Sequence, residues 1–157
     1  MRKFKTDLEE LFFPEECLHC GAKNAIKNNI PLCFNCELQL EPGWKKGRNN
    51  ELLMNRFKGI IGLEHTIIQY YFSLDGVSQS IIHEAKYKKQ TNILKHYGFV
   101  MGKKIEANDL LPNSPDLILP VPNNWMKKLI LGYNQAEIYS HEIAKSLKIK
   151  HLSLIHI

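Results

Sequence analysis

The chain has 157 residues, of which 44% are hydrophobic, 24% charged and 10% aromatic. These ordinary fractions exclude disordered, collagen-like and low-complexity proteins. No stretch reaches the roughly 18 apolar residues of a membrane-spanning helix, and the first residues lack the apolar run of a secretory signal. We therefore expect a cytoplasmic protein with no membrane span, built from one medium domain or from a small module and most of a second domain.

The charge is unevenly distributed. Twenty-one Lys and Arg against 16 Asp and Glu give a net charge of +5. Residues 86–104 contain no acidic side chain and hold these lysines: Lys86, Lys88, Lys89, Lys95, Lys103 and Lys104. A basic surface of this kind suits the phosphates of nucleotides or nucleic acid. The alternative is an ordinary solvated helix face.

The first predicted element is a short helix that ends before Pro14. Thr6 and Glu9 have the spacing of a capping box. The region that follows contains all the cysteines, in two C-x2-C pairs separated by 12 residues: Cys17, Cys20, Cys33 and Cys36. Gly21 suits a tight turn after the first pair, and His19 is expected to face solvent.

Two C-x2-C pairs can surround one metal ion tetrahedrally with four thiolates. Two disulfides are the alternative, but the absence of an export signal argues against an oxidising compartment. We therefore predict a structural Zn²⁺. Because four sulfur ligands complete its coordination sphere, this ion would have no open position for catalysis.

An exposed loop over residues 45–50 predicts a boundary between two domains. The first, 1–50, would hold the N-terminal helix and the four-cysteine module, and the second, 51–157, an α/β domain. In the second domain, β-branched and aromatic residues predict a strand over 66–74. Apolar residues of helical period then predict one helix from 77 to about 89 and another over 93–105.

The apolar run Leu117–Leu119 predicts a strand buried on both faces, as in a parallel sheet. A loop over 121–133 follows, and Asn134 is the expected N-cap of a last helix. In open α/β sheets, ligands bind beyond the carboxyl ends of strands, and helix N-termini favour anions. Residues 121–124 therefore form a candidate anion site, with a plain strand-to-helix connection as the alternative.

Five motifs occur in the order found in the ComF family, which the chain resembles from residue 8 to about 150. They are F-P-x2-C-x2-C-G at 13–21, L-C-x2-C at 32–36, G-x5-I-H-x2-K-Y at 76–87, P-V-P at 120–122 and G-Y-N-Q-A-E at 132–137. That family combines a double zinc ribbon with a domain similar to type I phosphoribosyltransferases. Its better-known members act in natural competence, where they help incoming single-stranded DNA into the cytoplasm beside a helicase partner.

The resemblance implies an α/β fold with an N-terminal four-cysteine zinc-ribbon module and an incomplete type I phosphoribosyltransferase-like domain. It implies a pyrophosphate- or phosphate-binding site composed of the following residues: Val121, Pro122, Asn123, Asn124, Lys127, Lys128, Asn134 and Gln135. In a full-length member, Mg²⁺ could accompany phosphoribosyl pyrophosphate. The alternatives are a genuine phosphoribosyltransferase when full length, and a zinc-ribbon module that binds nucleic acid or a helicase.

Two departures from the family pattern bear on activity. Leu131 stands where the family has an arginine, so one phosphate contact is lost. The chain also ends before the family's ribose-phosphate loop, which has two acidic residues followed by T-T-G-x-T. Residues 152–157 resemble a non-native tail. We therefore expect a C-terminally truncated chain without transferase activity.

Overall fold

The computed structural model describes residues 16–23, 31–44, 54–57, 59, 63, 65–87, 90–111, 113, 115–123 and 132–153. Its named elements are α1 Phe34–Glu37, α2 Val77–Tyr87, α3 Thr91–Ala107, β1 Leu117–Ile118, α4 Gln135–Leu147 and β2 Lys150–His151. The predicted N-terminal helix, the 45–50 loop and the domain boundary lie outside the described residues.

The three long helices confirm the helical periodicity of the sequence. The helices predicted over 77–89 and 93–105 are α2 and α3. The last helix, α4, begins after Asn134 as expected, because the Asn134 side chain accepts a hydrogen bond of 3.1 Å from the backbone N–H of Ala136. Such a cap satisfies a donor that the first turn of a helix leaves free.

The close packing of α3 against α4 depends on two glycines in α3. A Cβ atom at Gly98 would lie 2.6 Å from the backbone oxygen of Tyr139, and one at Gly102 would lie 2.5 Å from the Cβ of Ser146. These separations are shorter than van der Waals contact. The two backbones therefore come closer than any larger side chain at these positions would allow.

The two short strands are parallel neighbours, with Leu117 opposite Lys150 and Ile118 opposite His151. The helix α4 lies between them in sequence and packs against both, so the three elements form a β–α–β unit. The predicted strand at 117–119 is therefore confirmed in type. Its predicted burial on both faces is wrong, because Leu117 is 38% and Leu119 54% exposed.

The strand predicted over 66–74 is also wrong. Among the described residues, this segment makes one antiparallel bridge, between Tyr70 and Pro42, and no strand. Backbone hydrogen bonds flank the bridge, from Gly43 N–H to the Gln69 oxygen and from Tyr71 N–H to the Glu41 oxygen, both 3.0 Å. Pro42 and Tyr70 lie between these two bonds, and among the described residues no further bridge extends the pairing, so no ladder of pairs develops.

One hydrophobic core joins the cysteine region to the helices. The cysteine region contributes Cys17, Leu32, Cys33, Cys36 and Leu40, and the helices contribute Val77, Ala85, Ile93 and Tyr97. Above this core, Tyr70 packs edge-on against Tyr97 with ring centroids 5.9 Å apart. The cysteine module and the helical part are therefore packed together through buried side chains.

Candidate functional site

The sulfur atoms of all four cysteines converge at one point. The Sγ atoms of Cys17, Cys20, Cys33 and Cys36 lie within 4.8 Å of one another, and those of Cys20 and Cys33 are 3.7 Å apart. With Zn–S bonds of about 2.3 Å, a tetrahedral site needs sulfur atoms about 3.8 Å apart. All four thiols are free, so the disulfide alternative is not formed. The cluster could hold one metal ion.

Backbone hydrogen bonds shape the first cysteine pair into a tight turn. The N–H of Cys17 donates to the Ala22 oxygen at 3.0 Å, and the N–H of Gly21 donates to the Cys17 oxygen at 2.8 Å. Gly21 has a φ of +69°, in the left-handed region that favours glycine. The sequence prediction of a turn at Gly21 is confirmed.

The second cysteine pair is carried by the start of α1. Cys33 occupies the N-cap position and Cys36 lies in the helix. The N–H of Leu18 donates to the Pro31 oxygen at 3.0 Å, which joins the two pairs through the backbone. The N–H of Cys33 also donates to the sulfur of Cys17 at 3.3 Å. The two turns thus bring four ligands together from positions up to 19 residues apart in the chain.

The environment of the cluster shifts the pKa values of two of its thiols in opposite directions. Burial raises the pKa of Cys17, but the N–H groups of Cys33, Cys20 and His19 lower it by more, to about 6. Burial and hydrogen bonds with the other sulfurs raise the pKa of Cys36. The backbone N–H groups therefore favour the thiolate of Cys17, whereas the surroundings of Cys36 favour its thiol and a nearby cation would help it to lose the proton.

The side chain of His19 joins the cysteine module to α2. Its Nδ1 lies 2.9 Å from the Oγ of Ser80, and the ring is partly buried. The expectation that His19 faces solvent is therefore wrong. No local sequence signal could have shown this contact, because the two residues are 61 positions apart.

The loop after β1 lies beside the beginning of α4, as predicted for a candidate anion site. The Asn134 amide donates to the Val121 oxygen at 3.2 Å, while its own oxygen caps the helix. Val121 and Pro122 are exposed. The amide nitrogen of Asn123 is buried with no hydrogen-bond partner among the described residues.

Other predicted phosphate contacts are placed less favourably or fall outside the described residues. The amide of Gln135 donates to the backbone oxygen of Ala85 at 3.4 Å, which directs it toward α2. Asn124, Lys127 and Lys128 lie outside the described residues. Phosphate binding by this loop stays a prediction.

No known family model, curated protein or solved structure matches this chain. Within the described ranges, no helix is both long enough and apolar enough to cross a membrane. The described residues form a protein with helices, a small parallel sheet and a four-cysteine cluster that could hold a metal ion.

Proposed function

We propose that Cys17, Cys20, Cys33 and Cys36 bind one structural Zn²⁺ that holds the cysteine module on the helical part of the protein. The observation that carries this proposal is the convergence of four free sulfurs within 4.8 Å. Four thiolates in a tetrahedral arrangement favour zinc among the common divalent ions. A site of this kind supplies folding energy and leaves no position for substrate.

The burial of the cluster explains why the ion would matter for the whole chain. Cys17, Cys33 and Cys36 are each at most 6% exposed and share a core with Val77 and Tyr97. An ion that crosslinks these side chains stabilises the folded state only, since the unfolded chain has no preformed site. Removal of the ion is therefore expected to loosen the packing of α2 and α3 as well.

Metal analysis of the purified protein tests this proposal. We expect about one Zn²⁺ per chain, and we expect Cys36→Ser to lose both the ion and thermal stability. Ser146→Ala serves as the control because it is remote from the cysteines in sequence, and it should retain the ion. Two disulfides found by mass spectrometry, or full zinc content in Cys36→Ser, would refute the proposal.

We also propose that the chain is a ComF-type protein of the cytoplasm, with a phosphoribosyltransferase-like α/β part, that handles single-stranded DNA beside a helicase. The ordered motifs and the acid-free segment over 86–104 support this proposal. Two lysines of that segment are engaged: Lys103 contacts Glu106 at 2.7 Å, and Lys104 lies 5.2 Å from the Trp44 ring. Lys95 is exposed on α3 and makes no ion pair among the described residues.

Fluorescence anisotropy with a labelled single strand tests the DNA proposal. Affinity should fall steeply with added salt, because each phosphate contact contributes about 0.7 to the logarithmic slope. Lys95→Gln should lower the slope by about 0.7, whereas Lys103→Gln should change it less because Lys103 is already paired. A flat salt response would instead favour an ordinary solvated helix face.

The alternative of a genuine transferase has its own assay. The loop at 121–123 lies beside the N-terminus of α4, where an anion is favoured. If this loop serves catalysis, the full-length protein incubated with phosphoribosyl pyrophosphate, Mg²⁺ and free bases should release pyrophosphate, whereas the present chain alone should release none. Absence of release by the full-length protein, together with salt-dependent DNA binding, would favour the binding role.

A further inference from the structure

An apolar cavity of about 300 Å³ lies between residues 69–72, α2, α3 and the first turns of α4. Its walls include Ile81 and Ile82 from α2, and Ile93 and Leu94 from α3. Ile82 is 40% exposed and Phe72 58% exposed, so the cavity opens to solvent. This volume is at the low end of the range for small-molecule sites.

Hydrogen bonds hold the polar groups at the cavity's floor. The hydroxyl of Tyr139 donates to the amide oxygen of Gln69 at 2.7 Å, and the Gln69 amide nitrogen donates to the backbone oxygen of Tyr97 at 2.9 Å. Burial raises the pKa of Tyr139, so its hydroxyl keeps the proton that it donates. The polar groups of Gln69 and Tyr139 are therefore already hydrogen-bonded, and most of the remaining lining is apolar.

The charged side chain described in the cavity lining is positive. Lys86 is exposed, lines the cavity and makes no ion pair among the described residues. Among the residues that the structure describes, no acidic side chain belongs to the lining. The side chain of Gln135 donates to Ala85 and presents its amide at the same site. An occupant that complements these groups has an apolar body and one negative charge.

We propose that this cavity binds a small aromatic anion, with its ring between α2 and α3 and its acidic group at Lys86. The acidic group can be a carboxylate, a sulfonate or a phosphate, since each accepts hydrogen bonds from an ammonium group. The volume fits a molecule of one or two fused rings. No cysteine lines this site, and its cationic contact, Lys86, lies on α2 rather than on α3. Because α2 and α3 form its walls and share a core with the cysteines, the zinc-loaded protein is the form to test.

The test uses 8-anilinonaphthalene-1-sulfonate as a fluorescent aromatic anion and N-phenyl-1-naphthylamine as its uncharged counterpart, both with the zinc-loaded protein. We expect the anion to bind saturably at one site. Lys86→Gln should weaken its binding about tenfold, the size of one charge-assisted hydrogen bond, and leave the uncharged dye unaffected. The control Lys103→Gln should change neither dye.

A second variant separates cavity binding from adsorption to other apolar surface. Ile82→Glu places a carboxylate in the wall at a half-exposed position that tolerates charge, and it should weaken both dyes while the circular dichroism spectrum is unchanged. Displacement of the anionic dye by 1-naphthoate or by 1-naphthyl phosphate identifies the preferred acidic group and supports the proposal. Displacement by neither, or dye binding that both variants leave intact, would overturn it.

Discussion

The two glycines of α3 allow a sharp test of how closely α3 and α4 pack. In Gly98→Ala, the new Cβ would lie 2.6 Å from the backbone oxygen of Tyr139. An ordinary carbon–oxygen contact is about 3.4 Å, so the helices would have to separate locally by about 0.8 Å. Because that oxygen belongs to the backbone of α4, no side-chain rotation can relieve the contact.

The expected cost follows from two opposing effects. Overpacking of a well-packed interface costs about 1–3 kcal/mol, and a gap of this size also weakens dispersion contacts along the interface. Alanine gains about 1 kcal/mol over glycine in helix propensity. We expect the steric effect to prevail, with a net loss of about 1 kcal/mol in the free energy of unfolding, or about 2–4 °C in Tm.

Gly102→Ala provides a matched variant with a different kind of neighbour. Its new Cβ would meet the side chain of Ser146, at 2.5 Å from Cβ and 2.9 Å from Oγ. Ser146→Gly removes both atoms. Among the described residues the buried Ser146 hydroxyl has no hydrogen-bond partner, so its removal breaks no hydrogen bond there. In double-mutant cycles, Ser146→Gly should therefore rescue Gly102→Ala but not Gly98→Ala.

Urea unfolding followed by circular dichroism gives the four free energies that each cycle needs. A favourable coupling of at least about 0.5 kcal/mol is expected between positions 102 and 146, and none between 98 and 146. If Gly98→Ala were instead more stable than the parent, helix propensity alone would govern the site. The close approach of α3 to α4 would then be refuted.

Two further predictions concern buried polar groups. Burial lowers the pKa of His96 in the folded state. Below about pH 6.5 the unfolded state therefore binds more protons than the folded state, and stability falls as the pH drops. In His96→Gln, the urea concentration at the unfolding midpoint should fall less between about pH 7.5 and about pH 5 than it does in the parent protein. An equal loss in both proteins would contradict this. Tyr139→Phe removes the hydroxyl that donates to Gln69 and should cost about 1 kcal/mol by urea unfolding, whereas Tyr87→Phe, at an exposed position, should cost almost nothing.

The shared core changes how the cysteine module is understood. Sequence spacing presents the module as a separate unit, but Leu32 and Leu40 are buried together with Ile93 and Tyr97. The backbone hydrogen bonds of Glu41 and Gly43 to the segment 69–71 join the same two regions. Metal binding and helix packing are therefore expected to be lost together on unfolding.

The features that the sequence predicted well are local ones. The turn at Gly21, the cap at Asn134 and the helical periodicity of α2 and α3 each depend on residues within a few positions of one another. The grouping of the four cysteines was equally predictable, because C-x2-C spacing constrains where two thiols can point whatever surrounds them.

The features that the sequence predicted poorly depend on distant neighbours. Composition alone could not show that the bridge described for the 66–74 segment is a single pair with Pro42 in the cysteine region. The apolar pattern of Leu117–Leu119 likewise carried no information on which faces would be covered.

Local sequence by itself determined the helices, their caps and the set of thiols that converge, since their geometry follows from short-range sterics and hydrogen bonding. Tertiary structure alone decided that His19 meets Ser80, that Gly98 and Gly102 bring α3 against α4, and that an open apolar cavity remains beside Lys86. These outcomes depend on side chains that are remote in the chain and adjacent in space, and only packing brings such residues together.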